Sequence, residues 1–579
     1  MQYEWRAQSS DGQILTLDNV TTSTGDSNRD LVIRQGVLQD GVNYTFTVLA
    51  TQISGQLQGA SSITLTPNNP PRGGVCILRP ENNIYILETP VRFQCMGWMD
   101  EDSSPVQLIY TLTAETCSSP SYHCWHFCLY RGIRSSFSSF LPASSFSSSQ
   151  SSINILVELE DSQGAKTMAL NRTLVLTMPD LPPQFKTITS WLKEKSRSEL
   201  WGLIQQGNPQ EVLPYSLALI SLLNKDLGKQ VGMRELRDRI SIRSNVTATL
   251  ASLNVSSVKD VDQLSAALRA CVVFPEEVSL ESRAQVLEAA ERMIQVINRE
   301  TEEGHETPSS AGNSILAILG RMLTTVDTAD HPEASHHRSV EPDLGNQVLS
   351  AFSLTHMLIK SLMKSRVLNE ETLSLSVSEI RVQGKRADSS NLLCTVPSEE
   401  CLFSVPRPLA EQMAESQEVV QVTMDLAVNP FPFNYYTNSS ISTHLALLEF
   451  TTPTGAPISL AKLPRERAIS LRLPARQQKP QDLPQKQIFI PPRESVNFTV
   501  EVESGGNATG THIHVIFTVP EGFSHEKEPS LYVYGHDASF PNEFHYTLKE
   551  EIIFSNGLEG SKSREVTILI SSIRCSQHK

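Results

Sequence analysis

The chain has 579 residues, too many for one hydrophobic core, and at roughly 100–200 residues per domain it should fold as three to five. Its net charge of −15 and pI near 5.5 argue against a nucleic-acid surface, which needs clustered Lys and Arg. Hydrophobic content of 39% and mean hydropathy of −0.20 are those of globular material, and the longest apolar run, residues 212–223, falls short of the ~20 needed to cross a membrane.

Residues 1–180 read as strands. YEWRAQ and YTFTVLA alternate, the latter placing Tyr44, Phe46 and Val48 on one face. Leu38, Gly41 and Tyr44 before that alternation form the pattern of a sandwich strand with a corner tyrosine. Ser61 to Thr66 supplies a further strand, and Pro70, Pro71, Gly73 and Gly74 close the unit. Residues 1–67 are thus expected to form a fibronectin-III-like sandwich. It is short of the ~100 residues such a domain needs, so this reading takes it as cut on its N-terminal side. Met1 runs into QYEWRAQSS with no apolar leader, so a secretory start would lie upstream. A second sandwich is expected over 68–182, with RFQC, LIYTL, INILVEL and TLVLTM as strands and a flexible Ser/Phe-rich insertion at 135–152. Trp98 reads as core packing on a strand.

From about Phe185 the period becomes helical. Val261, Leu264, Leu268 and Cys271 share one face, as do Val286, Ala290, Met293 and Ile297. Asp260 with Gln263 resembles a capping box. A helical subdomain of about six to eight helices is expected over 185–366, interrupted by a polar loop at 325–345. Strand patterns return over 367–579: LSLSVSEIRVQG, EVVQVTMDLAV, HLALLEFTT, AISLRLP, VNFTVEVE, IHVIFTVP and SLYVYG. They suggest a second, larger sandwich, with 477–492 as a long surface connection. The fold class is multidomain α+β: sandwiches, helices, then a sandwich.

Two features point to the secretory pathway. Eight sequons, at Asn19, Asn43, Asn171, Asn245, Asn254, Asn438, Asn497 and Asn507, exceed the roughly five that chance supplies in so Ser/Thr-rich a chain. Cys76, Cys95, Cys117, Cys124 and Cys128 crowd one strand-rich region, and Cys394 and Cys401 stand seven apart, spacings that read as disulfides in an oxidising compartment. Zinc could also use Cys117, His123, Cys124, His126 and Cys128, but their spacing matches no common finger. Cys271 reads as a buried free thiol, and Cys575 as pairing outside the chain.

No catalytic, phosphate-loop or zinc-protease motif is present, and no cofactor is expected. His331, His336 and His337 with Asp330 and Glu333 could hold a metal, but a solvated loop is the stronger reading. Asp100, Glu101 and Asp102 could bind calcium, but an acidic turn is favoured. Tyr435 and Tyr436 read as core.

NPPRGGVCILRP (69–80), FQCMGWMDEDSSPVQLIYTL (93–112), Leu141–Pro142 and VELEDSQGA (157–165) resemble the receptor-for-egg-jelly (REJ) module of polycystin-1-like proteins. Asn69, Pro70, Gly73, Gly74, Cys76, Cys95, Gly97, Trp98, Asp100 and Pro105 carry the match. The helical stretch, NPFPFNYY (429–436), Gly455, ISLRLP (469–474) and PNEF (541–544) are similar to the same family. There, helices followed by a β sandwich form a GAIN domain, the autoproteolysis-inducing fold. The resemblance implies a large extracellular sensing region of a membrane protein, partnered with a polycystin-2-like cation channel subunit, and an unknown extracellular ligand for which the family name suggests glycoconjugates. It also implies a departure. Self-cleavage needs His-Leu followed by Ser or Thr, whereas His444–Leu445 precedes Ala446, which has no nucleophile. The chain is therefore expected to be a non-enzymatic ectodomain region without its membrane part. The alternative is a secreted adhesion or egg-coat-binding protein with no membrane partner.

Overall fold

The computed structural model describes residues 1–472 except 56, 101–107, 119–122, 144–149, 226–231, 305–308, 325–341, 389–390, 396–400, 408, 410–417, 429–443, 459, 461–462 and 465–466; beyond 472 it describes 511–518, 530–535, 548–553 and 563–570. It is mixed α and β and divides into two compact units, one of residues 1–431 and 443–475, the other of 432–442 and 476–579.

The first unit begins with an antiparallel sheet ordered β2-β1-β3-β4: β1 (Gln2–Ser9), β2 (Ile14–Leu15), β3 (Tyr44–Thr51) and β4 (Gln58–Leu65). The alternation read in YTFTVLA buries Tyr44 and Phe46 beside Ala7 and Leu17, with Trp5, Leu31 and Ile33 packed around them. The corner tyrosine is in place: the Gln39 N–H donates to the Tyr44 hydroxyl at 3.1 Å.

Next come β5 (Val75–Arg79), β6 (Ile84–Tyr85), β7 (Val91–Met96), β8 (Ile109–Ser118), β9 (His123–Gly132), β10 (Ser136–Ser139), β11 (Gln150–Glu160) and β12 (Lys166–Thr177). They form a three-stranded sheet, β10-β7-β5, and a five-stranded one, β6-β12-β11-β8-β9. An aromatic chain joins the two sheets: Phe93 of β7 lies 5.5 Å from Tyr130 of β9, which stacks on Phe137 of β10 at 4.3 Å between ring centres. The expectation of a flexible insertion at 135–152 is corrected at its start. Phe137 needs burial, so 136–139 add a strand to β7, and Leu141 is buried too.

The helices are α1 (Ile188–Arg197), α2 (Glu199–Gln206), α3 (Pro209–Lys225), α4 (Met233–Ala251), α5 (Val258–Cys271), α6 (Leu280–Glu302), α7 (Ser309–Thr324) and α8 (Pro342–Met363), with a 3₁₀ turn at Pro275–Glu277. Both helical faces read from the sequence are buried. The cap of α5 is corrected: Ser257 is the N-cap and Asp260 its reciprocal N3 partner, because a Ser hydroxyl at that position reaches the Asp260 N–H. α8 starts at Pro342, inside the stretch expected as polar loop, since Pro suits a first helical turn. Helix α3 is buried nearly all round. No helix among the described residues is long and apolar enough to cross a membrane.

The first unit ends in a sheet ordered β13-β14-β16-β17, from β13 (Leu373–Ser376), β14 (Ile380–Ala387), β16 (Val419–Leu426) and β17 (Leu445–Thr451), with a short pair of β15 (Phe403–Ser404) and β18 (Ser470–Leu471). Gly384 lets α8 lie close on β14: a Cβ there would stand 2.5 Å from the Met363 sulfur. In the second unit, β19 (Thr511–Thr518) pairs with β22 (Ser563–Ile570), and β20 (Ser530–Gly535) with β21 (Leu548–Ile553), both antiparallel. VNFTVEVE lies outside the described residues. β21 and β22 are strands the alternation search missed, their patterns being broken by Glu550, Glu551 and Glu565.

Candidate functional site, the junctions between sheets

Several described residues of the quoted 69–165 motif meet where the first sheet joins the next pair. The Gly41 N–H donates to the Pro67 carbonyl at 2.9 Å, and Gly41 has φ +71 with the Asn69 side chain only 2.6 Å from where a Cβ would sit. Asn68 donates to the Asp161 carboxylate at 2.6 Å, while the other Asp161 oxygen caps the Gln163 and Ala165 N–H groups at 2.8 and 3.0 Å. The Thr167 hydroxyl donates to the Pro71 carbonyl at 2.6 Å. Arg72 and Met99 exchange two backbone hydrogen bonds of 2.9 Å, flanked by Gly73 and Gly97, both at positive φ. Asp161 is buried, so every lone pair it carries into the core needs the donors it finds here.

Trp98 is not packed on a strand as expected. It follows the end of β7 and covers Gly74, where a Cβ would stand 2.3 Å from the indole, so the missing side chain makes the room. A disulfide, Cys76–Cys95, joins β5 to β7 at facing positions, and a second joins Cys394 to Cys401. Cys117 and Cys124 occupy facing positions of β8 and β9. Cys128 is a correction to the disulfide reading. It is a free thiol whose sulfur accepts from the Gln263 side chain of α5 at 3.3 Å, because that part of β9 packs against the helix. Burial pushes the Cys128 thiol up to about 12 and that of buried Cys271 up to about 11, so neither supplies a thiolate nucleophile.

Of the sequon residues, Asn19, Asn43, Asn171 and Asn254 are exposed, whereas Asn245 is half-buried on α4 beside buried Val246 and Thr247. Asn438, Asn497, Asn507, Cys575, Glu101, Asp102, Pro105, Asp330, His331, Glu333, His336, His337, Tyr435, Tyr436 and the segments 429–436 and 541–544 lie outside the described residues.

The second sheet pair docks on the helices through polar contacts and the edge-to-face pair Phe140–Tyr215, 5.3 Å between ring centres. The Ala143 N–H donates to the Ser221 hydroxyl at 2.7 Å, and Glu160 is shared by Arg131 and Lys259. The helices reach the last sheet through Arg321–Glu379 at 3.0 Å and through Glu449, which takes His356 and Lys360 of α8. Burial pushes the Glu449 carboxyl up, but Lys360 and His356 outweigh it and hold it below the ordinary carboxylate range. Within the helices, Glu277 receives Arg239 at 2.5 Å and Arg243 at 2.5 and 3.1 Å, with all three side chains out of solvent. Sequence reading missed this trio, because nothing in a helical period marks an arginine as inward.

Chemistry is sparse. His444 bonds Asp425 at 2.9 Å, and Leu445 and Ala446 enter β17 as ordinary ladder residues opposite Leu426 and Asp425. Among the described residues no three His, Cys, Asp or Glu side chains are placed to share a metal. A cleft of about 460 Å³ is lined by Phe403, Leu448, Glu449, Phe450, Ile458 and Leu460.

The motif glycines, the Cys76–Cys95 bridge and the Asn68–Asp161 tie define an REJ-type region, and a model of the REJ domain matches residues 1–218, running past the sheets into α3. Human Polycystin-1 is 37% identical over 590 aligned residues, covering 98% of this chain and 13% of that relative. The chain belongs to the polycystin-1-like family. It spans about 13% of the length of the curated relative it matches.

Proposed function

We propose that this chain is the ligand-binding or adhesive extracellular region of a polycystin-1-like membrane receptor that, as a whole, assembles with a polycystin-2-like cation channel subunit. In this reading residues 1–67 and 68–182 are fibronectin-III-like modules, 185–366 is a GAIN A-like helical subdomain, and 367–579 a GAIN B-like sandwich that does not cleave itself. The supporting observation is 37% identity over 98% of the chain, together with motif residues Asn69, Gly73, Gly97 and Asp161 gathered at one junction. A binding role without catalysis fits the free thiols held protonated and Ala446 in place of a nucleophile. The extracellular ligand is taken to be a protein or glycoconjugate surface.

The test is expression through the secretory pathway of cultured cells. Secretion with glycans at Asn19, Asn43, Asn171 and Asn254, intact Cys76–Cys95 and Cys394–Cys401 peptides without reduction, and a single uncleaved chain are expected. Unmodified sequons with free thiols at Cys76 and Cys95 would sink the extracellular reading. Failure of the full-length receptor to co-purify with a polycystin-2-like subunit would remove the channel partnership alone.

A further inference from the structure

The loop between β2 and β3 lies against the segment that leads from α8 into β13. The Glu371 N–H donates to the Ser23 carbonyl at 3.0 Å. Arg34 meets the Glu371 carboxylate with two parallel bonds of 2.8 and 2.6 Å. Its Nε meanwhile donates to the Asn19 and Thr22 carbonyls, both at 3.1 Å, so the guanidinium is aimed by its own loop. The Asn28 side-chain amide donates to the Leu368 carbonyl. Arg29 pairs at 3.2 Å with Glu418, which Arg386 of β14 also holds.

The receiving segment is braced. Asn369 sits at φ +57, donates its N–H to the Arg386 carbonyl at 2.8 Å, and exchanges side-chain and backbone bonds with Asp388 at 2.7 and 3.1 Å. The contact itself is polar. Among the described residues, the apolar cluster of the first sheet, from Trp5 to Phe46, takes no member beyond 46. That sheet therefore keeps its own core whether or not the loop is docked. Arg34 and Glu371 are also about a third to a half exposed, where salt screens a charge pair.

We propose that the first sheet is a reversibly docked arm, with Arg34–Glu371 as its ionic latch and Asn28–Leu368 and Arg29–Glu418 as flanking clasps. Closed, the latch completes a ring whose other joints are Asn68–Asp161, Ala143–Ser221 and Arg321–Glu379. Open, it frees the 366–371 segment while both cores stay folded.

Hydrogen exchange of the full chain tests this with R34E, E371R and the double charge swap. Peptides covering 19–34 and 366–371 should exchange about tenfold faster in each single variant, with β3 unchanged, and recover in the swap. Raising salt from about 0.1 M to about 1 M should do the same to the unaltered chain. Equal exchange in all forms overturns the latch. So does loss of β3 protection together with the loop, which would make the contact part of the sheet's own fold.

Discussion

Removing the Glu277 carboxylate should unfold the helical region more readily than any other single charge deletion in the chain. Arg239 and Arg243 are fully buried, and among the described residues Glu277 is the carboxylate that meets them. Arg243 has other acceptors, the Cys271 carbonyl and the Asn224 side chain, both at 2.9 Å. Arg239 has none for its two terminal nitrogens. Glu277→Ala would strand two buried cations, a change that costs about 3–5 kcal/mol. Glu277→Gln keeps the shape and one acceptor oxygen and should lose about half of that. Arg239→Met should be milder still, because Arg239 is already half unpaired and Glu277 would keep Arg243. Urea unfolding followed by helical circular dichroism, with exchange of α4 amides alongside, measures all three. A loss below about 1 kcal/mol for Glu277→Ala would refute the reasoning, as would Arg239→Met proving the worst of the set.

Gly74→Ala should drive Trp98 from its seat and cost about 1–3 kcal/mol, read by tryptophan fluorescence and urea unfolding. Replacing both Cys76 and Cys95 by Ser opens a loop of 19 residues and should cost about 3 kcal/mol, against about 2 for the seven-residue loop of Cys394–Cys401; thermal unfolding with and without reductant separates them. Tyr44→Phe removes the acceptor for the Gln39 N–H and should cost about 1 kcal/mol in thermal unfolding. Hydrogen bonds from Arg386, then its charge and that of Arg29, hold the Glu418 carboxyl below its ordinary 4.5. Its contribution is therefore complete above that value and lost as pH falls through the lower native one. An acid titration of stability should be shallower in Glu418→Gln, and an unchanged acid limb would count against the pairing.

The sequence made local elements legible and hid distant ones. Tyr44 and Phe46 announce their face by period two, and Val261 to Cys271 theirs by period 3.6, since burial on one side of a regular element repeats along the chain. The Asn-Pro-Pro-Arg-Gly-Gly run showed itself as a turn, but not that Gly74 makes room for Trp98, which depends on a residue 24 positions later. Cys128 misled because spacing along a strand cannot say what packs over its thiol, here Gln263 of a helix 135 residues later. Arg34 and Glu371 carry no local signal at all: an exposed arginine in a loop looks the same whether its partner is water or a carboxylate 337 residues away.

That separation has a consequence for a chain held by its ends. Tension entering through the first sheet passes across Arg34–Glu371 into the last sheet, bypassing the sheets and helices between. While the latch holds, those 337 residues contribute no length. Once it parts, they come into series with the load, and full unravelling would release on the order of 1,100 Å of contour. The ionic latch and its two flanking clasps thus decide whether those 337 residues are slack or strained.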